Sequence, residues 1–197
     1  FRLLSMDMVV FGVSCLVSRI SFSRDSKGSG ASETRNTNTM PSPHELAEQY
    51  LAGAAQLRAA VAGMTREQLL ARPVAGKWST LEVVCHIADF EPVLVDRMKR
   101  ILAYGKDTPL LLIADENLFV AALKYHERDL EEELALVDAT RRQMARIIRG
   151  LTPEQLQLTG NHSKKGLQPL EKVIQMATNH ITHHLPFVAE KRKALGV

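Results

Sequence analysis

Apolar side chains recur at every third or fourth position along most of the chain after residue 40. In the last such stretch, Leu170, Val173, Ala177 and Ile181 follow this spacing. Side chains at this spacing share one face of an α-helix, whereas those of a half-buried strand alternate at every second position. The pattern predicts amphipathic helices from residue 41 onward, and no segment there has convincing strand alternation.

Four such helices are predicted, and the second has the clearest start signal. In the stretch KWSTLEVV, Ser79 and Glu82 stand three positions apart. This spacing is typical of a capping box, in which each side chain bonds the free backbone N–H of the other residue. That helix is expected to end near Leu102. The first helix is expected to begin at Ser42 or Pro43.

The third helical region is predicted within 116–149, with a separate short helix in its early part and an end at Gly150. The fourth is predicted to have Pro169 as its first helical residue, a position that needs no N–H. Pro186 predicts a kink just beyond His184, because proline cannot donate the helical hydrogen bond. Four amphipathic helices bury their apolar faces well in a four-helix bundle, so the predicted fold class is all-α.

Two short segments resemble each other. The stretches GMTREQL (63–69) and GLTPEQL (150–156) share five of seven residues, and each lies between two predicted long helices. Either a helical hairpin has been duplicated, or the chain has two similar short connecting helices. The sequence leaves both interpretations open.

The first 39 residues differ in composition from the rest. Residues 21–39 are rich in Ser, Thr, Gly and Asn and offer almost nothing to bury, which is typical of a disordered linker. The apolar stretch at 8–17 is too short for a bilayer span, which takes roughly 20 residues. We predict a disordered or non-native N-terminal extension at 1–39, with a cleaved export signal as the alternative. One folded domain is predicted at 40–197, with no membrane partner.

The charge balance argues against nucleic acid as a partner. The chain has a formal net charge of +3, but residues 1–39 carry five basic and three acidic side chains. The predicted domain is therefore near neutral, whereas a nucleic-acid-binding face needs clustered basic charge. The two cysteines, Cys15 and Cys85, cannot build a disulfide framework, so a reducing, cytoplasmic location is expected.

Three histidines, His180, His183 and His184, stand within five positions of the fourth predicted helix. His180 and His184 are one turn apart on one face, which suits chelation of a single ion, whereas His183 points about 100° away. Such a pair alone is more often structural than metal-binding. His86, near the middle of the second helix, is either a hydrogen-bonded core residue or a third ligand on a facing helix.

These motifs carry a resemblance to a known family. The stretch GKWSTLEVVCHIADFE, followed about 90 residues later by HITHHLPF, resembles the DinB / YfiT-like family over about residues 43–195. The resemblance implies a four-helix bundle and a metal triad of His86, His180 and His184, commonly for zinc or nickel. Some members of this family are similar to transferases or isomerases that use low-molecular-weight thiols, and others are described as metal-dependent hydrolases.

Such a triad would support enzymatic chemistry on a small-molecule substrate. Three neutral imidazoles leave a divalent ion its full charge, which lowers the pKa of a bound water or thiol. We expect a metal-dependent enzyme, with thiol transfer slightly ahead of hydrolysis. The sequence does not identify a catalytic residue. Asp89 is a candidate for orienting a ligand imidazole, or else a solvated carboxylate. Glu91 and Asn179 are weaker candidates for that role.

The remaining polar candidates are expected to be structural. Cys85 is predicted to be a small core residue. The stretch EKRKAL (190–195) is predicted to be a solvated helix end. His44, His126 and His162 are predicted to lie at the surface.

The rival function is a non-catalytic helical bundle that forms a homodimer or binds a partner through an exposed helix face. Nucleic-acid binding is a weaker alternative that only the family name suggests. The predicted loops at 104–116 and 157–168, which would shape a substrate pocket, carry no motif.

Overall fold

The computed structural model describes residues 41–197 and confirms the predicted all-α, four-helix-bundle class. The extension predicted at 1–39 and the domain start at residue 40 lie outside the described residues and stay predictions. None of the described helices is both long enough and apolar enough to cross a membrane.

In the described part of the chain, four long helices form the bundle and three short helices connect them. The long helices are α1 (Pro43–Val61), α3 (Thr80–Tyr104), α5 (Leu130–Arg149) and α7 (Leu170–Leu195). The short helices are α2 (Arg66–Leu70), α4 (Glu116–Ala122) and α6 (Pro153–Leu156). Single turns of 3₁₀ helix follow α3 at Gly105–Asp107 and precede α5 at Tyr125–Glu127.

The capping signals in the sequence fix where the helices begin. At α3, the Ser79 hydroxyl accepts a hydrogen bond from the Glu82 N–H (3.2 Å), and Glu82 Oε2 accepts one from the Ser79 N–H (2.7 Å). The predicted capping box is therefore confirmed. α1 begins after Ser42, as predicted, in a second capping box with Glu45. Each box satisfies two backbone donors that would otherwise lack a partner.

Other helix boundaries agree with the predictions to within two residues. The separate short helix before α5 is confirmed, and α5 ends at Gly150 as its C-cap. α3 extends to Tyr104. α7 begins at Leu170, because Pro169 ends a strand and serves as the N-cap. α7 continues through Pro186, where the expected kink stays a prediction.

The two similar segments form matching connections. α2 and α6 each start in a Thr-x-x-Gln capping box, formed by Thr65 with Gln68 and by Thr152 with Gln155. The expected short connecting helices are therefore observed, and duplication of a helical hairpin stays open.

The order of the helices in the bundle brings α3 beside α7. α1 packs against α5 and α7, and α3 packs against the same two helices. The pairs α1/α3 and α5/α7 are therefore the diagonals of the bundle, although each pair is consecutive among the long helices. Adjacent packing of α3 and α7 is what allows side chains of these two helices to meet.

The prediction that no strand follows residue 41 is wrong for three short strands. These are β1 (Leu110–Leu111), β2 (Thr159–His162) and β3 (Gly166–Pro169). β1 pairs in parallel with β2, and β2 pairs antiparallel with β3. Strands of two to four residues are too short for a readable alternation, and the β1–β2 pair joins segments that are distant in sequence. The two predicted loops that carried no motif are therefore held together.

One buried guanidinium ties all four long helices together. Arg141 of α5 donates to Glu91 of α3, to the carbonyl of Tyr50 in α1 (2.6 Å) and to the carbonyl of Ala177 in α7 (2.7 Å). The Tyr50 hydroxyl also donates to Glu91. Both members of the Arg141–Glu91 ion pair are fully buried. Glu91 is therefore a core residue, which the sequence did not indicate.

Candidate metal centre

The structure brings His86 of α3 together with His180 and His184 of α7. One ring nitrogen of each residue lies within 4.8 Å of the corresponding nitrogens of the other two. The Nε2 atoms of His86 and His180 are 3.0 Å apart. The ring centroids of the three pairs are 4.9 to 5.0 Å apart. The three histidines predicted as ligands therefore form one cluster at the α3–α7 contact.

Local packing fixes the orientation of His86. The Trp78 ring lies 5.2 Å from the His86 ring, and the Phe90 ring, one turn further along α3, lies 4.5 Å from it. Trp78 directly precedes the Ser79 capping box, so the signal that starts α3 also places this wall of the site. His86 itself is buried. Its imidazole is thus held by two aromatic side chains before any ligand is considered.

All three imidazoles are neutral at physiological pH. Burial, opposed by the nearby Asp89 carboxylate, lowers the pKa of His86 to about 4. Burial together with the neighbouring imidazoles lowers the pKa of His180 and of His184 to about 3. A metal ligand must offer an unprotonated nitrogen, so the site needs no proton release before it binds an ion.

The donor set fits a divalent transition metal. Three nitrogens about 2.0–2.1 Å from one tetrahedral zinc ion lie about 3.3 Å from one another, close to the 3.0 Å between His86 and His180. Without an ion, at most one of two facing Nε2 atoms can carry a proton toward the other. A cation at their common centre would satisfy every facing lone pair. Imidazole ligands suit zinc, nickel, copper and iron alike and do not suit calcium or magnesium.

His183 has a different position from its neighbours. It is exposed, and its ring lies 5.1 Å from that of His184 without joining the cluster. It lies between two openings beside the cluster. A pocket of about 290 Å³ adjoins His184, and a second of about 430 Å³ adjoins His180. His183 lines both pockets, so it lies beside the openings that lead to His184 and His180.

Asp89 has another partner than the one expected. Its Oδ1 accepts a hydrogen bond from Arg128 at 2.9 Å. Within the described part of the chain, Asp89 forms no hydrogen bond with a histidine. The Nδ1 atoms of His86 and His180 are buried and have no hydrogen-bond partner among the described residues. The orienting role of Asp89 therefore stays a prediction, and its observed contact is an ion pair with Arg128.

Other sequence predictions have mixed outcomes. Cys85 is a buried core residue, and burial raises the pKa of its thiol to about 12. His44 and His126 are exposed, as predicted. His162 is not: it is buried in β2, where its Nδ1 accepts a hydrogen bond from the Lys164 N–H (3.1 Å). The unexpected sheet explains that error.

The prediction of a solvated helix end is wrong for Lys191. This residue is only 2% exposed. It stands seven positions after His184 and three after the buried Val188, so it lies on the inner face of α7. That spacing indicates an inward position for Lys191, whereas the charged residues around it favour a solvated helix end.

Comparison with known proteins places the chain in a family. A model of the DinB superfamily matches residues 34–188. A protein of Oceanobacillus iheyensis, named as a candidate metal-dependent hydrolase, is 27% identical over 139 residues, which covers 70% of this chain and 79% of that protein. YfiT of Bacillus subtilis, named in the same way, is 27% identical over 143 residues, which covers 72% of this chain and 79% of YfiT.

A solved structure supports the fold. The structure of YfiT matches with a TM-score of 0.74 and 24% identity, covering 85% of this chain and 95% of that one. It is described as having an unusual four-helix bundle topology. The family model spans most of the chain, including the helices that carry the three histidines, and confirms the resemblance predicted from the sequence. The chain belongs to the DinB superfamily.

Proposed function

We propose that this protein is a metal-dependent hydrolase of small molecules. In this proposal His86, His180 and His184 bind one divalent ion, zinc or nickel. The observation that carries it is the cluster of three neutral imidazole nitrogens within 4.8 Å of one another at the α3–α7 contact. The names of the relatives favour hydrolysis as the reaction.

The chain supplies a rigid and partly dry setting for this chemistry. All three candidate ligands project from the interiors of two long helices, so their positions depend on the bundle rather than on a loop. When bound, a divalent ion held by three neutral ligands supplies a Lewis acid that lowers the pKa of a coordinated water toward neutrality. The Trp78 and Phe90 rings pack against the buried His86 imidazole.

Two pockets beside the cluster provide substrate access. The pockets beside His184 and His180 are large enough for a small molecule and are lined partly by His183. Thiol transfer would use the same three ligands and stays a prediction, because no described residue distinguishes a thiol from a water molecule here. If the experiment below finds no metal-dependent activity, the rival function as a non-catalytic helical bundle would be favoured.

The test is hydrolysis of para-nitrophenyl acetate by untagged full-length protein. We expect activity that is lost on treatment with a chelator, restored by zinc or nickel, and absent from a His180→Ala/His184→Ala variant. A His44→Ala/His126→Ala variant, which removes two exposed histidines, is the matched control and should retain activity. Equal rates in both variants, or no activity above that of the free ion, would contradict the proposal.

A further inference from the structure

We propose that the 290 Å³ pocket beside His184 binds the carboxylate of an anionic substrate through Lys191 and Lys77. This inference rests on the proposed function, because it assigns the substrate class of the same site. Both lysines line the pocket together with His184 and the aromatic residues Trp78 and Phe187. A pocket with two cations beside a divalent-metal site would favour a negatively charged ligand.

Lys191 is buried, and it pairs with no acidic side chain of the part of the chain that the structure describes. It is 2% exposed, and no described carboxylate lies within ion-pair distance of its ammonium group. Its one hydrogen bond within residues 41–197 goes to the carbonyl of Phe187 at 3.0 Å. A buried ammonium group without a counter-charge is costly, so an unpaired lysine lining a pocket indicates a ligand that supplies the missing charge.

The nearest carboxylates do not supply that charge. Glu190 and Glu82 act on Lys191 electrostatically, from beyond hydrogen-bond distance. Glu82 is also engaged elsewhere, since it caps α3 and pairs with Arg72. Glu116 lines the same pocket, but it is exposed at the start of α4 and forms no ion pair with either lysine. The pocket therefore retains an excess of positive charge.

The direction of the Lys191 side chain places its charge near the candidate metal site. Because the ammonium donates to the Phe187 carbonyl one turn earlier, the side chain runs back along α7 toward His184. The two residues are seven positions apart, which is about 10 Å along a helix axis, and the side chain shortens that separation. A carboxylate bound at Lys191 would thus lie in the same pocket as the imidazole of His184.

The other walls define the rest of the substrate. Trp78 and Phe187 provide apolar contact, and Lys77 is an exposed second cation at the edge of the pocket. The substrate class is therefore a small carboxylic acid with an apolar or aromatic body, whose hydrolysable bond lies close to the carboxylate. Lys191 acts in this scheme as a specificity-determining residue and takes no part in bond cleavage.

Trp78 is the single tryptophan of the chain, so its fluorescence reports ligand binding in this pocket. We would titrate full-length protein with hydrocinnamate and with its neutral amide, both before and after zinc is added. Hydrocinnamate is expected to bind at least about tenfold more tightly than the amide, the ratio expected for one charge-assisted hydrogen bond. Lys191→Met should remove this preference, whereas Lys193→Met, on the exposed side of the same helix, should keep it.

Lys77→Met provides a second variant at an exposed position, where folding is not at risk, and should weaken hydrocinnamate binding by about threefold. The zinc-free arm separates this inference from the proposed function. A preference for the anion that needs Lys191 in zinc-free protein supports the subsite even if no metal binds. Equal binding of the anion and the amide by the wild type would overturn the inference even if the protein binds zinc. A preference for the anion that survives in both Lys191→Met and Lys77→Met would overturn it as well.

Discussion

Glu91→Ala is expected to destabilise the bundle by about 3–5 kcal/mol, because it leaves the guanidinium of Arg141 buried without its counter-charge. Both side chains are fully buried. Glu91 Oε2 accepts two hydrogen bonds from Arg141, at 3.0 Å from Nε and 2.9 Å from the terminal nitrogen. The Tyr50 hydroxyl would also lose its acceptor.

The magnitude follows from these contacts. Hydrogen bonds to charged groups contribute about 1.5–3 kcal/mol each, and two are lost between Arg141 and Glu91. The Tyr50 and Ala177 carbonyls still accept from the guanidinium, which limits the loss. Glu91→Gln keeps the volume and one acceptor oxygen but removes the charge, so a smaller loss of about 2–3 kcal/mol is expected.

The assay is urea unfolding of metal-free protein, followed by far-ultraviolet circular dichroism. Asp96→Asn is the matched control, since it breaks an exposed ion pair with Arg100 on the same helix and should leave the unfolding midpoint unchanged. A double variant, Glu91→Leu/Arg141→Met, should recover most of the lost stability, because neither charge then remains buried. A loss below about 1 kcal/mol for Glu91→Ala, with an unchanged urea slope, would refute the reasoning.

Three further predictions concern the same bundle. Gly53→Ala should lower the free energy of unfolding by about 1–3 kcal/mol, because a Cβ there would overlap the buried guanidinium of Arg141. Gly150→Ala is the control. A Cβ at that position would make only ordinary contacts, so the unfolding midpoint should be nearly unchanged in the same urea titration. Ser79→Ala should lower the free energy of unfolding by about 1 kcal/mol, because it removes the α3 capping box. An unchanged urea midpoint would count against that box as the determinant of the helix start. The stability of metal-free protein should fall as pH decreases from about 6.5 to about 4, because the unfolded chain takes up protons on the three histidines while the folded chain, with pKa values of about 3 to 4, does not. Urea midpoints measured across this range should show a shallower slope in the His180→Ala/His184→Ala variant, and an identical slope would contradict the pKa assignments.

Local signals in the sequence predicted the elements of the fold well. The Ser79–Glu82 box and the apolar spacing of α7 depend on residues within one or two turns of each other, so they are readable without tertiary information. The pairing of Leu110 with Asn161 is not, because it joins short segments about 50 residues apart. The diagonal placement of consecutive long helices was equally unreadable, since an apolar stripe shows which face is buried but not which helix covers it.

The candidate site was predictable for a related reason. His180 and His184 share a face of α7 by spacing alone, and the family resemblance supplied His86 on another helix. The structure adds the contact of the α3 and α7 side chains, as well as features that composition concealed. The burial of Lys191 was not predicted, because this residue stands in a run of charged residues. The Glu91–Arg141 pair joins helices that no local pattern connects.

The most direct test of the central claim is the metal content of untagged full-length protein, measured by elemental mass spectrometry after exposure to zinc or nickel and removal of free ion. We expect about one ion per chain in the wild type and in the His44→Ala/His126→Ala control, and none in the His180→Ala/His184→Ala variant. Wild-type protein that binds neither metal, or a double variant that binds as much as the wild type, would contradict a metal site at these histidines.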